Sequence, residues 1–204
     1  MKTFLALFLL TLSNPVFSQQ TPESKIQIVV GRGTHSTGDM TGLSFATEYE
    51  HYLKKRLSWS VALGGTIHDG FEPMLFKDQS GGTIDNSIRY TTAGLQIASH
   101  LGYDFVRTTH HEVQLRAGGL LRYQSSSYFD ELQIIYPIAT GLPMPVNYFV
   151  NKTPQRTYAV GASCQLLYNY TFENRISIGF LGGFQIDSNG DNISQLSFTL
   201  GKRF

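Results

Sequence analysis

The side chains with the most chemistry to offer fall on one parity of alternating runs: Glu48 and Glu50, His100 and Asp104, then Glu112, Arg116 and Arg122. In an extended chain every second side chain points the same way, so each set shares one face of its strand. Carboxylates and guanidinium groups facing a common enclosed space pair with one another, because a lone enclosed charge is costly. Arg116 and Glu48 fall at similar depth, and the expectation is a lumen charge network of Glu48, Arg116, Glu50, Glu112 and Arg122. Its plain use is to fill and stabilise the interior. Its sharper use is to gate a narrow conduit.

Nucleophilic chemistry has thinner support. His35 with Ser36 and His68 with Asp69 supply suitable residue types, but only as sequence neighbours, and a nucleophile needs its base within hydrogen-bond reach. His110 and His111 are adjacent and point apart if extended, and no HExxH or Cys/His spacing marks a metal site. No helix pattern follows Gly31-Arg32-Gly33, so it is not a nucleotide loop. Asn192-Ile193-Ser194 is a glycosylation triplet in form only, since it opens a strand. No catalytic residue, metal or cofactor is expected.

The elements that carry these residues read as strands. Period-two alternation predicts them near Lys25–Gly33, Gly42–Leu53, Leu57–His68, Ser87–Phe105, His111–Tyr123, Thr157–Thr171 and Ile176–Ile186, with a terminal strand closing on Phe198, Leu200 and Phe204. Each sets an apolar face, such as Ile26, Ile28 and Val30, against a polar or small one. Short polar links (Lys54–Arg56, Val106–His110, Phe172–Arg175) alternate with longer segments at Thr34–Thr41, Asp69–Asn86, Gln124–Arg156 and Asp187–Asn192. Eight strands joined in this way describe an all-β, up-and-down antiparallel transmembrane barrel with turns on the periplasmic side and loops outside. A strand of ~11 residues rises about 36 Å and, at ~45° tilt, covers roughly the 25 Å apolar band. Aromatic residues sort by strand end: Tyr49, Trp59, Tyr103, Phe105, Tyr168, Tyr170 and Phe204 at one, Tyr123 and Tyr158 at the other. Two interfacial girdles are implied, whereas the core aromatics of a soluble sandwich or lipocalin-like can would not sort.

Residues 1–18 read as a cleaved signal peptide, with Lys2, the apolar stretch Phe4 to Leu12 and a small-residue site at Val16-Phe17-Ser18, leaving a barrel domain over 19–204. The apolar run is about half the ~20 residues that a spanning helix needs. The single cysteine, Cys164, excludes an intramolecular disulfide. The charged fraction of 15% and the 14 Phe and 11 Tyr suit amphipathic strands better than a charged soluble surface. The net charge of +1 points to no nucleic-acid partner, and export makes one implausible.

The segment Gln124–Arg156 is too apolar for a freely solvated loop, with Tyr128, Phe129, Ile135, Tyr136, Tyr148 and Phe149 as candidate interaction residues. The favoured reading is a hairpin extending the flanking strands above the membrane, turning at Gly141-Leu142-Pro143-Met144-Pro145. Alternatives are a segment folded over the barrel mouth with Phe71, Leu75 and Phe76, or two further membrane strands, giving ten.

Through Glu48-Tyr49-Glu50-His51-Tyr52-Leu53, Leu120-Leu121-Arg122-Tyr123 and Leu200-Gly201-Lys202-Arg203-Phe204, the chain resembles the small eight-stranded outer-membrane barrels of OmpA/OmpX type, and in particular the Bacteroidota outer-membrane β-barrel group. The resemblance implies insertion by the barrel assembly machinery, which reads a C-terminal aromatic strand matched here by Phe198, Leu200 and Phe204. It also implies contact with outer-membrane lipid and lipopolysaccharide. Barrel enzymes that modify lipid A are the enzymatic comparison. The deacylase-type His-x-Ser-Asn pattern has its nearest counterpart at Ile186-Asp187-Ser188-Asn189, where Ile replaces the general base. The expectation is therefore a non-enzymatic surface scaffold or adhesion protein with a possible extracellular protein partner. A conduit for small apolar solutes is the alternative, and a lipid A-modifying enzyme comes third.

Overall fold

The computed structural model describes residues 23–78 and 80–204; the expected signal peptide lies outside the described residues. In chain order the strands are β1 (Ser24–His35), β2 (Met40–Tyr52), β3 (Leu57–Glu72), β4 (Leu75–Lys77), β5 (Thr83–Asp85), β6 (Ile88–Arg107), β7 (His111–Ser126), β8 (Glu131–Ile135), β9 (Val146–Val150), β10 (Arg156–Thr171), β11 (Ile176–Asp187) and β12 (Asn192–Arg203). Eight of these close a barrel in the order β1-β12-β11-β10-β7-β6-β3-β2, and β1 meets β12 from Lys25↔Arg203 to His35↔Ile193. Closure leaves no unpaired sheet edge, which is what a sheet in hydrocarbon requires.

The ten-strand reading fails. β8 and β9 pair only with each other, as do β4 and β5, so both form small hairpins beyond the barrel. Strand bounds also run further toward the long loops than the alternation indicates: β3 continues to Glu72, paired with Ile88, and β7 to Ser126. The ladder persists there while neither face meets lipid, so the side-chain pattern that marks a membrane strand has already stopped.

The alternation resolves as a greasy exterior and a packed interior. Ile28, Val30, Leu43, Leu63, Leu95, Leu121, Leu166, Phe180 and Leu196 are exposed outward, although each would be a core residue in a soluble sheet. Inside, Glu50, Glu112, Asp104, Gln114 and Arg122 are wholly buried. The interior is not polar throughout. Val29, Leu167 and Leu181 pack together with Ala46 beside them, and Ala62, Ala98 and Leu120 form a second apolar group. These positions interrupt the polar parity at the middle of their strands. They divide the lumen into two compartments.

Candidate functional site

The compartment toward the short turns is a closed ion network. Arg116 donates to Glu48 and Glu50, at 2.8 Å from Glu50 Oε2, while its Nε donates to Gln114. Lys25 Nζ lies 2.8 Å from Glu50 Oε2 and 3.2 Å from Glu112 Oε2. Glu112 is the hub: it also accepts from Arg203 Nη2 at 2.8 Å, from Asn169 Nδ2 at 3.1 Å and from the Tyr52 hydroxyl. Gln114 Nε2 donates to Asp104 at 2.7 Å, and the Arg107 guanidinium lies 3.4 Å over the Tyr52 ring. Lys25, Arg107, Arg116 and Arg203 thus face Glu48, Glu50, Asp104 and Glu112, and at the edge Glu23 lies 3.3 Å from Arg107. Opposite charges sharing many hydrogen bonds are the form in which such groups tolerate enclosure, although Asp104 Oδ2, Arg107 Nε and Arg203 Nε have no hydrogen-bond partner.

The structure brings Glu48, Glu50, Glu112 and Arg116 together and leaves Arg122 out. Leu120 separates Arg116 from Arg122 on β7, and Arg122 stands six residues further along, ~20 Å on an extended strand. It belongs to the second compartment, where it donates to Thr66 Oγ1 at 3.1 Å and lies 4.0 Å from Asp187. Gly94 makes this possible, because a Cβ there would come within 2.5 Å of the Arg122 Nε. Beyond Arg122 the His35 and His68 rings stand 5.4 Å apart, and His35 Nε2 is 3.5 Å from Asp191 Oδ2. Asp191 accepts from Thr37 at 2.7 Å and from Gln124 at 2.8 Å. Burial alone would raise its carboxyl, but the bonds from His35, Thr37 and Gln124 hold it well below the usual carboxylate range. Pairing is sparse otherwise: both His68 nitrogens and Arg122 Nε and Nη1 are buried with no protein hydrogen-bond partner.

The mouth above this compartment is shut by Met40, Tyr90 and Phe129, with Tyr128, Ile88 and Leu132 packed against them. Tyr90 lies across Gly70, where a Cβ would meet its ring at 1.9 Å. Phe129, read from sequence as an interaction residue, is buried in this lid, and Tyr128 packs edge-on to Tyr90 at 4.8 Å. The base of the loop therefore folds into the mouth, and only its outer part forms a hairpin.

Beyond the lid, the two small hairpins lean on one another. Phe76 meets Tyr136 edge-on at 6.2 Å, and Asn86 Nδ2 donates to Asn147 Oδ1 at 2.8 Å. Asp130 ties the returning chain down, accepting from the backbone N–H of Thr153 at 2.7 Å, its hydroxyl, and the Lys152 N–H. These bonds hold its carboxyl below the ordinary range. Ile135, Tyr136, Tyr148 and Phe149 are exposed on this platform. At the opposite end, Phe198 and Leu200 face outward, and Phe204 exchanges backbone hydrogen bonds with Ser24.

No proposed catalytic pair assembles. His68 faces the lumen while Asp69 faces outward and accepts from Thr91, and Ser36 Oγ accepts from the Asn192 N–H. Ser188 Oγ accepts from the Val160 N–H. One pair that sequence reading did not single out, His100 Nε2 and Ser163 Oγ at 2.8 Å, does lie within reach. Both are buried inside the barrel, and His100 Nδ1 has no acidic partner to orient it. Among the described residues no group of three metal-ligating side chains stands together.

No protein-family model matches the chain, and no curated protein matches it in sequence. Solved structures do match. Ail, the attachment invasion locus protein of Yersinia pestis, aligns with TM-score 0.53 and 10% identity over 91% of this chain and 100% of that one. Its complex with the heparin analogue sucrose octasulfate aligns with TM-score 0.53, 9% identity and coverage of 91% and 100%. Neisserial surface protein A aligns with TM-score 0.53 and 12% identity over 90% of this chain and 97% of that one. At such identity the likeness speaks to the fold, and with the apolar exterior it defines the class: an eight-stranded transmembrane β-barrel of the bacterial outer membrane. Within that class the chain has the architecture of the small OmpA/OmpX-type barrels.

Proposed function

We propose that this protein is a non-conducting, non-enzymatic outer-membrane scaffold that presents its β4–β5 and β8–β9 hairpins for attachment to an external surface. The observation that carries this reading is the lumen filled at three levels: the ion network around Glu112, the apolar layer of Val29, Leu167 and Leu181, and the lid of Met40, Tyr90 and Phe129. A conduit for small solutes would have to breach all three. What remains for function is the loop platform, where large apolar side chains stand in water. Ail, a barrel of the same fold, carries attachment and invasion in its name, which supports the same direction. Assembly would follow recognition of Phe198, Leu200 and Phe204 by the barrel assembly machinery, with lipopolysaccharide around the outer rim.

Adhesion of cells displaying the full chain is compared with that of cells in which 127–155 is replaced by a short turn. Loss of attachment with an intact, heat-modifiable barrel is expected; unchanged attachment defeats the reading. Planar-bilayer recordings supply the complement. Wild type and Arg116→Ala are both expected to be electrically silent, and a conductance that appears only in the variant would reassign the network as a gate.

A further inference from the structure

We propose that the tip of the β8–β9 hairpin, residues 136–145, inserts into the acyl region of an apposed phospholipid bilayer. The inference rests on the surface-attachment reading and names its target. Tyr136, Ile138, Leu142 and Met144 are all exposed at this tip, Ile138 at 98%. No Asp, Glu, Lys, Arg or His occurs between Glu131 and Lys152, whereas the ion pair of Lys152 with Glu131 stands at the base of the hairpin. The apolar surface thus grows, and charge vanishes, toward the end of the projection.

The backbone of the tip is suited to a dry medium as well. Pro137, Pro143 and Pro145 have no N–H to desolvate. Residues 137–140 form one helical turn, in which Ala139 N–H donates to Tyr136 O and Gly141 N–H to Pro137 O. Gly141 takes the left-handed conformation (φ 70°) that this cap requires, and Leu142 N–H donates to the Thr140 hydroxyl. Entering hydrocarbon is prohibitive chiefly for unpaired backbone donors and acceptors, and here the prolines and local bonds reduce them. Tyr136 and Tyr148, just behind the apolar cap, match rings that settle at the head-group level.

A protein partner fits the tip less well. Standard interfaces engage ~20–30 residues a side with matching polar groups, whereas this surface offers four prominent side chains and no charge. A fluid bilayer moulds itself to a small apolar projection and needs no complementary shape. The absence of charge makes a second prediction: attraction to the bilayer is apolar, so it does not depend on anionic lipid or on ionic strength.

The test uses the full chain in lipid nanodiscs, floated with phosphatidylcholine vesicles, beside an I138D/L142D variant whose folding is confirmed by heat-modifiable gel mobility. Wild-type discs are expected to co-float, equally at about 0.1 M and about 1 M salt, although the screening length falls from ~10 Å to ~3 Å. The variant is expected to lose at least tenfold of the vesicle-bound fraction. Absence of co-flotation, equal flotation of the variant, or release by salt overturns the proposal. If discs ignore vesicles while the 127–155 deletion still abolishes cell attachment, the bilayer is the wrong target and the surface-attachment reading stands. If the deletion leaves attachment unchanged as well, both fall.

Discussion

The two compartments of the lumen both enclose charged side chains but pair them to different degrees. On the side of the short turns Lys25, Arg107, Arg116 and Arg203 face Glu48, Glu50, Asp104 and Glu112, with Glu23 at the edge, and Glu112 alone gathers Lys25, Arg203, Asn169 and Tyr52. On the side of the long loops Arg122 has a hydroxyl at 3.1 Å and a carboxylate only at 4.0 Å, and the His68 ring has no protein hydrogen bond. Dense, shared pairing constrains one set of side-chain positions. Sparse pairing leaves the other half free to adjust beneath its lid. Stability is therefore concentrated in the half nearest the short turns, and the half nearest the exposed hairpins tolerates change.

The sharpest break of that contrast is Glu112→Ala, which strips a shared partner from Lys25 and Arg203. A loss of about 3–5 kcal/mol is expected, as when one member of a buried ion network is removed, read from urea unfolding of the barrel in lipid. A double-mutant cycle on Arg116→Met and Glu48→Gln should return a coupling of about 0.5–3 kcal/mol, the range for residues sharing one network. An additive cycle would mean that the two groups pack side by side without mutual support.

Asp191 tests the half nearest the long loops through pH. Its folded carboxyl lies below the unfolded value of about 3.9, so its contribution is present above that value and is lost as pH falls through the lower folded one. The advantage of wild type over Asp191→Asn should be flat from about pH 8 to about pH 5 and shrink below about pH 4. An advantage that stayed undiminished below about pH 3 would mean that the Asp191 carboxylate charge carries none of it. The smallest effect is expected for Arg122→Met, about 1 kcal/mol, since Arg122 loses one hydroxyl bond at 3.1 Å and its nearest carboxylate stands only at 4.0 Å. If that substitution costs as much as Glu112→Ala, the contrast between the halves is wrong.

Much of the barrel could be read in the sequence, because lipid outside and packing inside force a strict parity. Ile26, Ile28 and Val30 on β1 and Leu196, Phe198 and Leu200 on β12 point outward as alternation requires. Partners across the lumen are harder to read, because they depend on the stagger of the strands. Lys25, Arg203, Tyr52 and Gln114 therefore enter the Glu112 and Arg116 network without having been singled out, although each occupies the inward parity of its strand. Arg122 is drawn into the wrong group for the same reason, sharing parity with Arg116 but not level. The missing signal was present. Val29, Ala62, Ala98, Leu120, Leu167 and Leu181 interrupt the polar parity near the middle of their strands, and together they draw the boundary between compartments. In the long loop, apolar content alone could not separate Phe129, which seals the mouth, from Tyr148 and Phe149, which remain outside.

The junction of β1 with β12 has a consequence for how the cylinder comes into being. Lys25 sits on one side of that seam and Arg203 on the other, paired in register, and both reach Glu112 on the far wall. Until the seam zips, that carboxylate lacks two of its counter-charges, and no half-made sheet satisfies it. Ring closure and charge neutralisation are then a single cooperative event, a latch that clicks only when first and last strands have found each other.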